Sequence, residues 1–303
     1  MESLVQIGNT PRRGGRLPDF LRKPATHFPS VQALKNDLRA LNLHTVCESA
    51  RCPNLHECFH RGAATFMILG NICTRGCTFC SVPKGDPAKT EMPVDPAEPA
   101  NVAAMAARMA LRYVVITSVN RDDLPDGGSA HFANTVRAVR AALPEARIEV
   151  LTPDFCGDLE AVARVLDARP DVFNHNMETV ERLYRRVRPQ AGYRQSLDVL
   201  AFARHYSPGV LTKSGLMVGM GESEAEVCRL LDDLRGARVD VVTIGQYLQP
   251  TRRNMKVAEH VPPERYQRWV DYGGRIGLKK VFAGPFVRSS YMADLVNHQA
   301  REA

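Results

Sequence analysis

Six short apolar runs recur from Ala64 onward, ATFMILG, YVVITS, RIEVLT, DVFNHN, LTKSGLMVG and VDVVTIG, each followed by a segment of helical periodicity. Near-continuous apolar strands are buried on both faces, and strands separated by helices join through crossovers into a parallel sheet. The chain is thereby limited to a doubly wound sheet or a barrel of βα units. Periodicity alone does not separate these two, although a closed eight-stranded barrel needs two more repeats. One intervening helix is expected from Ala100 to Leu111. It is entered through Asp95, Pro96 and Glu98, which offer an N-cap, a first-turn proline and a capping-box acid. Upstream, Ser30 to Leu43 reads as a helix with Ser30 as N-cap and Val31, Leu34, Leu38 and Leu41 along one face.

The 303 residues, 44% hydrophobic and 24% charged, are ample for a buried core and fall in the range of folded water-soluble chains. No stretch approaches the ~18 apolar residues of a membrane helix, and the N-terminus lacks an apolar signal core. A cytoplasmic location without membrane partners is the expectation. The net charge of +7 favours anionic partners, but the 40 Lys and Arg are scattered singly and in pairs, so nucleic acid is not expected.

Six of the eight cysteines lie between Cys47 and Cys80. In a reducing compartment such clustering points to metal or redox chemistry before disulfides. Cys47, Cys52 and Cys58 form a C-x4-C-x5-C array, and Cys73, Cys77 and Cys80 form C-x3-C-x2-C. Structural zinc closes a tetrahedron with four ligands, so two triplets fit it poorly, even with His44, His56 and His60 near the first. Three thiolates suit an iron-sulfur cubane with one iron open to another ligand.

The second triplet, with Phe79 before its last cysteine, resembles the signature of the radical S-adenosylmethionine superfamily. The ordered strings CESARCPN, TRGCTFCSV, TSVNRDDLPDGG, LTPDF, HNMETV, LMVGMGE, GQYLQPTRR and GPFVRSSY narrow the resemblance. From about residue 40 almost to the end, the chain resembles lipoyl synthases. The resemblance implies a partial (βα)6 TIM-type barrel at 61–278. An N-terminal extension at 1–60 would carry the auxiliary-cluster cysteines, and a C-terminal segment at 279–303 the RSSY motif. It further implies two 4Fe-4S clusters and S-adenosyl-L-methionine. Cys73, Cys77 and Cys80 would hold the radical-generating cluster; Cys47, Cys52, Cys58 and Ser290 would hold the auxiliary one, with Ser289 the neighbour to be distinguished. The implied reaction inserts sulfur from the auxiliary cluster at C6 and C8 of a protein-bound octanoyl-lysine. Its implied partners are octanoylated lipoyl carrier domains, namely the E2 subunits of 2-oxoacid dehydrogenases and the glycine cleavage H protein. Ferredoxin or flavodoxin would supply electrons, and an iron-sulfur carrier would repair the cluster.

In barrels of this type, sites collect at the C-terminal ends of strands. Ser118, Asn176, Glu178, Lys213 and Arg188 are therefore the candidates to contact S-adenosylmethionine, carboxylate and amide groups suiting hydroxyls and the amino group, and Lys213 or Arg188 its carboxylate. Gly219 and Gly221 suit a tight turn or close backbone approach. Asp122, Asp123 and Asp126 read as a structured turn rather than a metal loop. Cys156 and Cys228 read as buried structural thiols, and Tyr266, Trp269 and Tyr272 as packing residues of a helix. Arg252 and Arg253 face either the substrate or solvent. Three positions depart from the family pattern: Asn254 stands for a usual histidine, Asn120 for a usual acid, and His260 for a usual aromatic residue.

Overall fold

The computed structural model describes residues 17–22, 29–60, 64–291 and 293. An N-terminal section comprises α1 (Pro29–Ala40), β1 (His44–Thr45), α2 (Val46–Ser49) and α3 (Leu55–His60). The repeats then begin with β2 (Thr65–Ile68), α4 (Glu98–Arg108), β3 (Tyr113–Ser118), α5 (Ser129–Ala142), β4 (Arg147–Leu151), α6 (Leu159–Leu166) and β5 (Val172–Asn174). They continue through α7 (Tyr184–Val187), α8 (Tyr193–Tyr206), β6 (Leu211–Val218), α9 (Glu224–Gly236), β7 (Val241–Gln246), α10 (Pro263–Arg275) and β8 (Lys280–Gly284). The strands lie in chain order in one sheet, antiparallel between β1 and β2 and parallel from β2 to β8. Among the described residues β8 does not pair back to the first strands, so the barrel is open on that side.

The six expected runs become β2 to β7, and β2, β5 and β7 are buried along their whole length. β8 is the addition. It pairs with β7 from Val241↔Lys280 to Gly245↔Gly284, yet is mostly half-buried. Its sequence, KVFAG, mixes a lysine and small residues with only two large apolar ones, which is why it does not read as a sheet strand. The sheet therefore runs past residue 278, into the segment that carries the RSSY motif.

Local chemistry explains the helices. Asp158 caps α6 by accepting from the backbone of Glu160 and Ala161 at 2.9 and 3.2 Å, and the helix buries Ala161, Val162, Val165 and Leu166. Ser223 and Glu226 form a reciprocal capping box on α9. Two expectations shift. α1 starts at Pro29, placing Ser30 inside its first turn. α4 starts at Glu98, whose carboxylate makes no capping box. It accepts instead from the Leu69 backbone and pairs with His131, both at 2.7 Å, which holds the end of β2 where the next loop departs. Tyr266 and Trp269 pack edge to face in the core from α10, as expected, with ring centroids 5.6 Å apart.

Candidate active site

The loop after β2 carries Cys73, Cys77 and Cys80 and is held from several strand ends. Backbone N–H groups of Arg75 and Asn120 donate to Cys73 Sγ at 3.4 Å each. The Arg75 guanidinium meets both Asp122 oxygens at 2.6 and 2.9 Å and Asp154 at 2.6 Å, joining this loop to those after β3 and β4. Burial raises the Asp154 pKa, but the hydrogen bond and charge of Arg75 outweigh it and bring it to about 2. Burial pushes Cys80 up to about 12. It also raises Cys77, against the pull of Arg188. Asn254 fastens the loop from the far side. Its amide donates to the carbonyls of Thr78 and Cys80 at 3.2 and 2.9 Å, and its oxygen accepts from Thr251 at 2.6 Å.

Cys47 lies on α2, Cys58 on α3 and Cys52 between them. All three line a cavity of about 300 Å³ with Arg288, Ser290 and Tyr291. The two parts of the chain are tied together: Asn54 donates to the Phe286 carbonyl and Tyr291 to Glu57, both at 2.8 Å. The segment after β8 also lies against Gly245, where a Cβ would run into the Val287 carbonyl and stand 2.8 Å from Arg288 Nη1. Ser290 thus shares the cavity of the three thiols. Ser289 is not on that wall; it receives a hydrogen bond from Asn176 at 3.3 Å and lines a neighbouring cavity with Cys47, Cys52 and Ser290. Burial raises Cys47 to about 12, and Cys52 and Cys58 add to the effect.

A second cavity of about 220 Å³ connects the two triplets. Phe79, Cys80, Asn176, Glu178, Leu216 and Met217 contribute to its wall, as do Cys47, Cys52, Arg288 and Ser290. Of the strand-end candidates, Asn176 and Glu178 reach it. The Asn176 amide donates to Glu178 at 3.0 Å, while its oxygen, like the Ser118 hydroxyl, is buried with no hydrogen-bond partner among the described residues. Burial raises Glu178, opposed by Arg188, Asn176 and Arg288. Arg188 stands behind this wall and donates to the Asn176 carbonyl and Tyr184 hydroxyl at 2.8 Å each.

Lys213 is not brought to the cavity. Its ammonium is fully buried against Glu149, 3.1 and 3.2 Å from the two oxygens, and Tyr113 and Asn174 also donate to that carboxylate. The side chain of a strand residue sits on one face of the sheet or the other, and sequence gives no sign that a carboxylate two strands away will claim it.

Residues 67–234 match the radical SAM superfamily, and residues 3–52 match the N-terminal domain of lipoyl synthase of the radical SAM family. A lipoyl synthase of Thermus thermophilus is 52% identical over 286 residues, covering 94% of this chain and 88% of that protein. One from Methylococcus capsulatus is 54% identical over 280 residues, covering 92% and 86%. The chain belongs to the lipoyl synthase family. At the level of fold alone it is similar to methylornithine synthase, with 14% identity, a TM-score of 0.54 and 76% and 75% of the two chains covered. It is likewise similar to HydG, a maturase of the FeFe-hydrogenase, with 11% identity, a TM-score of 0.58 and 72% and 50% covered. The partial TIM-type barrel is thus a radical SAM barrel. Membership implies a 4Fe-4S cluster and S-adenosylmethionine, and the orphaned Asn176 oxygen and Ser118 hydroxyl leave polar capacity at the strand ends for such a ligand.

The lipoyl synthase departures acquire physical explanations. Asn120 serves the cysteine loop through its backbone, which accepts from Thr74 and donates to Cys73, so its side chain is free to vary. Asn254 has two amide hydrogens for two loop carbonyls. His260 is exposed. Of the acidic turn, Asp126 caps the start of α5 and Asp123 pairs with Arg121, as a structured turn requires, whereas the clamp between Asp122 and Arg75 had no sequence signal. The expectation for Cys156 is corrected: it is exposed, and its sulfur touches Arg75 and Asp122 at 3.3 and 3.4 Å. Cys228 is half-buried on α9. Gly219 and Gly221 take positive φ, and a Cβ on Gly219 would collide with Gln246 and the Glu259 carbonyl. Arg252 and Arg253 are exposed.

Proposed function

We propose that this protein inserts two sulfur atoms, at C6 and C8, into an octanoyl group carried on a lysine of a lipoyl carrier domain. The observation that carries this reading is the second cavity, whose wall includes Cys80 of one triplet together with Cys47, Cys52, Ser289 and Ser290. When bound, S-adenosylmethionine and a 4Fe-4S cluster supply the radical that breaks an unactivated C–H bond, and an auxiliary 4Fe-4S cluster supplies the sulfur.

The chain's own part is to hold and shield. Cys73, Cys77 and Cys80 would hold the first cluster on a loop fixed by Arg75, Asn120 and Asn254. Cys47, Cys52, Cys58 and Ser290 would hold the second. Serine oxygen is a harder ligand than thiolate and less well matched to cluster iron, which suits a site whose contents are consumed. Phe79, Leu151, Leu216, Leu248 and Val287 give the connecting cavity apolar surface suited to an alkyl chain. Asn176 and Glu178 offer hydrogen bonds to the polar parts of S-adenosylmethionine, and Arg188 fixes the backbone at Asn176. The carrier domain and a small electron donor such as ferredoxin or flavodoxin are the partners this reading requires. In the described residues no helix is long and apolar enough to cross a membrane.

The test is anaerobic turnover of an octanoyl-lysine carrier peptide with reconstituted protein, S-adenosylmethionine and reductant. The product should have exchanged two hydrogens for two sulfurs. Cleavage of S-adenosylmethionine with no change in peptide mass would place the chemistry on another substrate.

A further inference from the structure

Arg288 lines both cavities. Its Nη1 donates to the carbonyls of Val287 and Pro285 at 2.6 and 3.5 Å, which are neutral acceptors. No carboxylate of the described residues lies within the 4.0 Å of an ion pair. Arg75, Arg121 and Lys213 each face a carboxylate at 2.6, 2.8 and 3.1 Å, whereas the buried Arg188 also donates to neutral acceptors but does not line either cavity. A guanidinium does not escape burial by losing its proton. Arg288 is half-buried in the wall of two cavities and without a carboxylate partner among the described residues, so its charge is available to an anionic group held there. The position of Arg288 is enforced from behind by Gly245, which has no side chain to keep the guanidinium off β7.

We propose that Arg288 is a positioning residue that supplies the fixed counter-charge for the thiolate-bound auxiliary cluster and raises that cluster's reduction potential. The inference rests on reading the cavity of Cys47, Cys52, Cys58 and Ser290 as the auxiliary site. Three thiolates bring negative charge into a partly enclosed space, and every electron added increases it. A nearby fixed cation therefore favours the reduced state. The cation follows Ser290 by being two residues from it on the same segment, so ligand and counter-charge arrive together when that segment docks.

The test uses the full chain with Cys73, Cys77 and Cys80 changed to Ala, reconstituted with iron and sulfide, so that only the auxiliary cluster forms. Iron and sulfide per chain and the midpoint potential, followed by electron paramagnetic resonance, are compared for Arg288, Arg288→Lys and Arg288→Met. Arg288 should give about four of each per chain. Arg288→Lys should keep the iron and most of the potential, while Arg288→Met should shift the potential to more negative values or lose the iron. Equal iron and equal potential in Arg288→Met overturn the proposal. So does a parallel loss in Lys and Met, which would make the guanidinium a brace for its own loop. Unchanged potential with weakened S-adenosylmethionine binding in the chain with both cysteine triplets would assign the charge to that ligand's carboxylate and overturn it too. If no iron is taken up before Arg288 is changed, the reading of the cavity fails, and this proposal with it.

Discussion

Individual side chains in this molecule divide by what surrounds them rather than by type. Lys213 and Arg288 are both cations, yet one is buried and paired with Glu149 and the other, half-buried, faces the cavities. Lys213→Met should accordingly cost about 3 kcal/mol of stability by leaving a buried carboxylate without its cation. Affinity for S-adenosylmethionine, measured by calorimetry on folded protein, should stay the same. His175 sets a pH dependence. It is buried between the Thr152 carbonyl and Ser196, and burial lowers its pKa from 6.5 to about 4, with Arg188 adding to the effect. Above pH 6.5 the ring is neutral folded and unfolded, so the pH has no effect through it. As the pH falls from 6.5 towards 4, the unfolded chain takes up a proton that the folded one refuses, and about 3 kcal/mol of stability is lost. Below about 4 both states carry the proton and this loss stops. Urea unfolding at pH 7 and 4.5 should show it, and His175→Gln should reduce the difference.

At the scale of elements, the decisive piece is the segment that follows β8. Its seat depends on β7 lacking a side chain at Gly245, because the Val287 backbone occupies that space. Gly245→Ala should push the segment away and lower iron content by about half, with the radical cluster retained. Gly274→Ala, on α10 where nothing lies within 4 Å of a new Cβ, should keep all the iron and add up to about 1 kcal/mol of stability. Iron analysis and thermal unfolding of the two variants side by side decide the matter. The cysteine loop after β2 shows the same dependence on distant elements, since Arg75 reaches the loops after β3 and β4 and Asn254 reaches back from the loop after β7.

Across the whole molecule, the open barrel brings Cys80 of one triplet and Cys47 and Cys52 of the other to one cavity. Reconstituted protein should contain about eight irons and eight sulfides per chain. Ser290→Ala should reduce lipoyl formation roughly tenfold or more with S-adenosylmethionine cleavage intact. Ser289→Ala, which loses one hydrogen bond from Asn176, should stay close to the parent rate. Product mass and deoxyadenosine release measure the two. The parallel strands and cysteine spacings were legible in the sequence because both are local: apolar periodicity reports burial, and ligands on one loop keep their spacing however the rest folds. β8 was not, because a half-buried strand with small residues has no apolar run. The fates of Lys213, Asp122 and Cys156 were not either, since each is settled by a partner at least 34 residues away. By itself the sequence determined a radical SAM chemistry, a parallel βα architecture and which residues were able to serve as ligands. Only the tertiary structure showed that Ser290 lines the cavity of all three thiols, that Arg288 lines two cavities with no carboxylate partner among the described residues, and that Lys213 is part of the core. Those outcomes depend on contacts between segments up to 234 residues apart, which no spacing along the chain encodes.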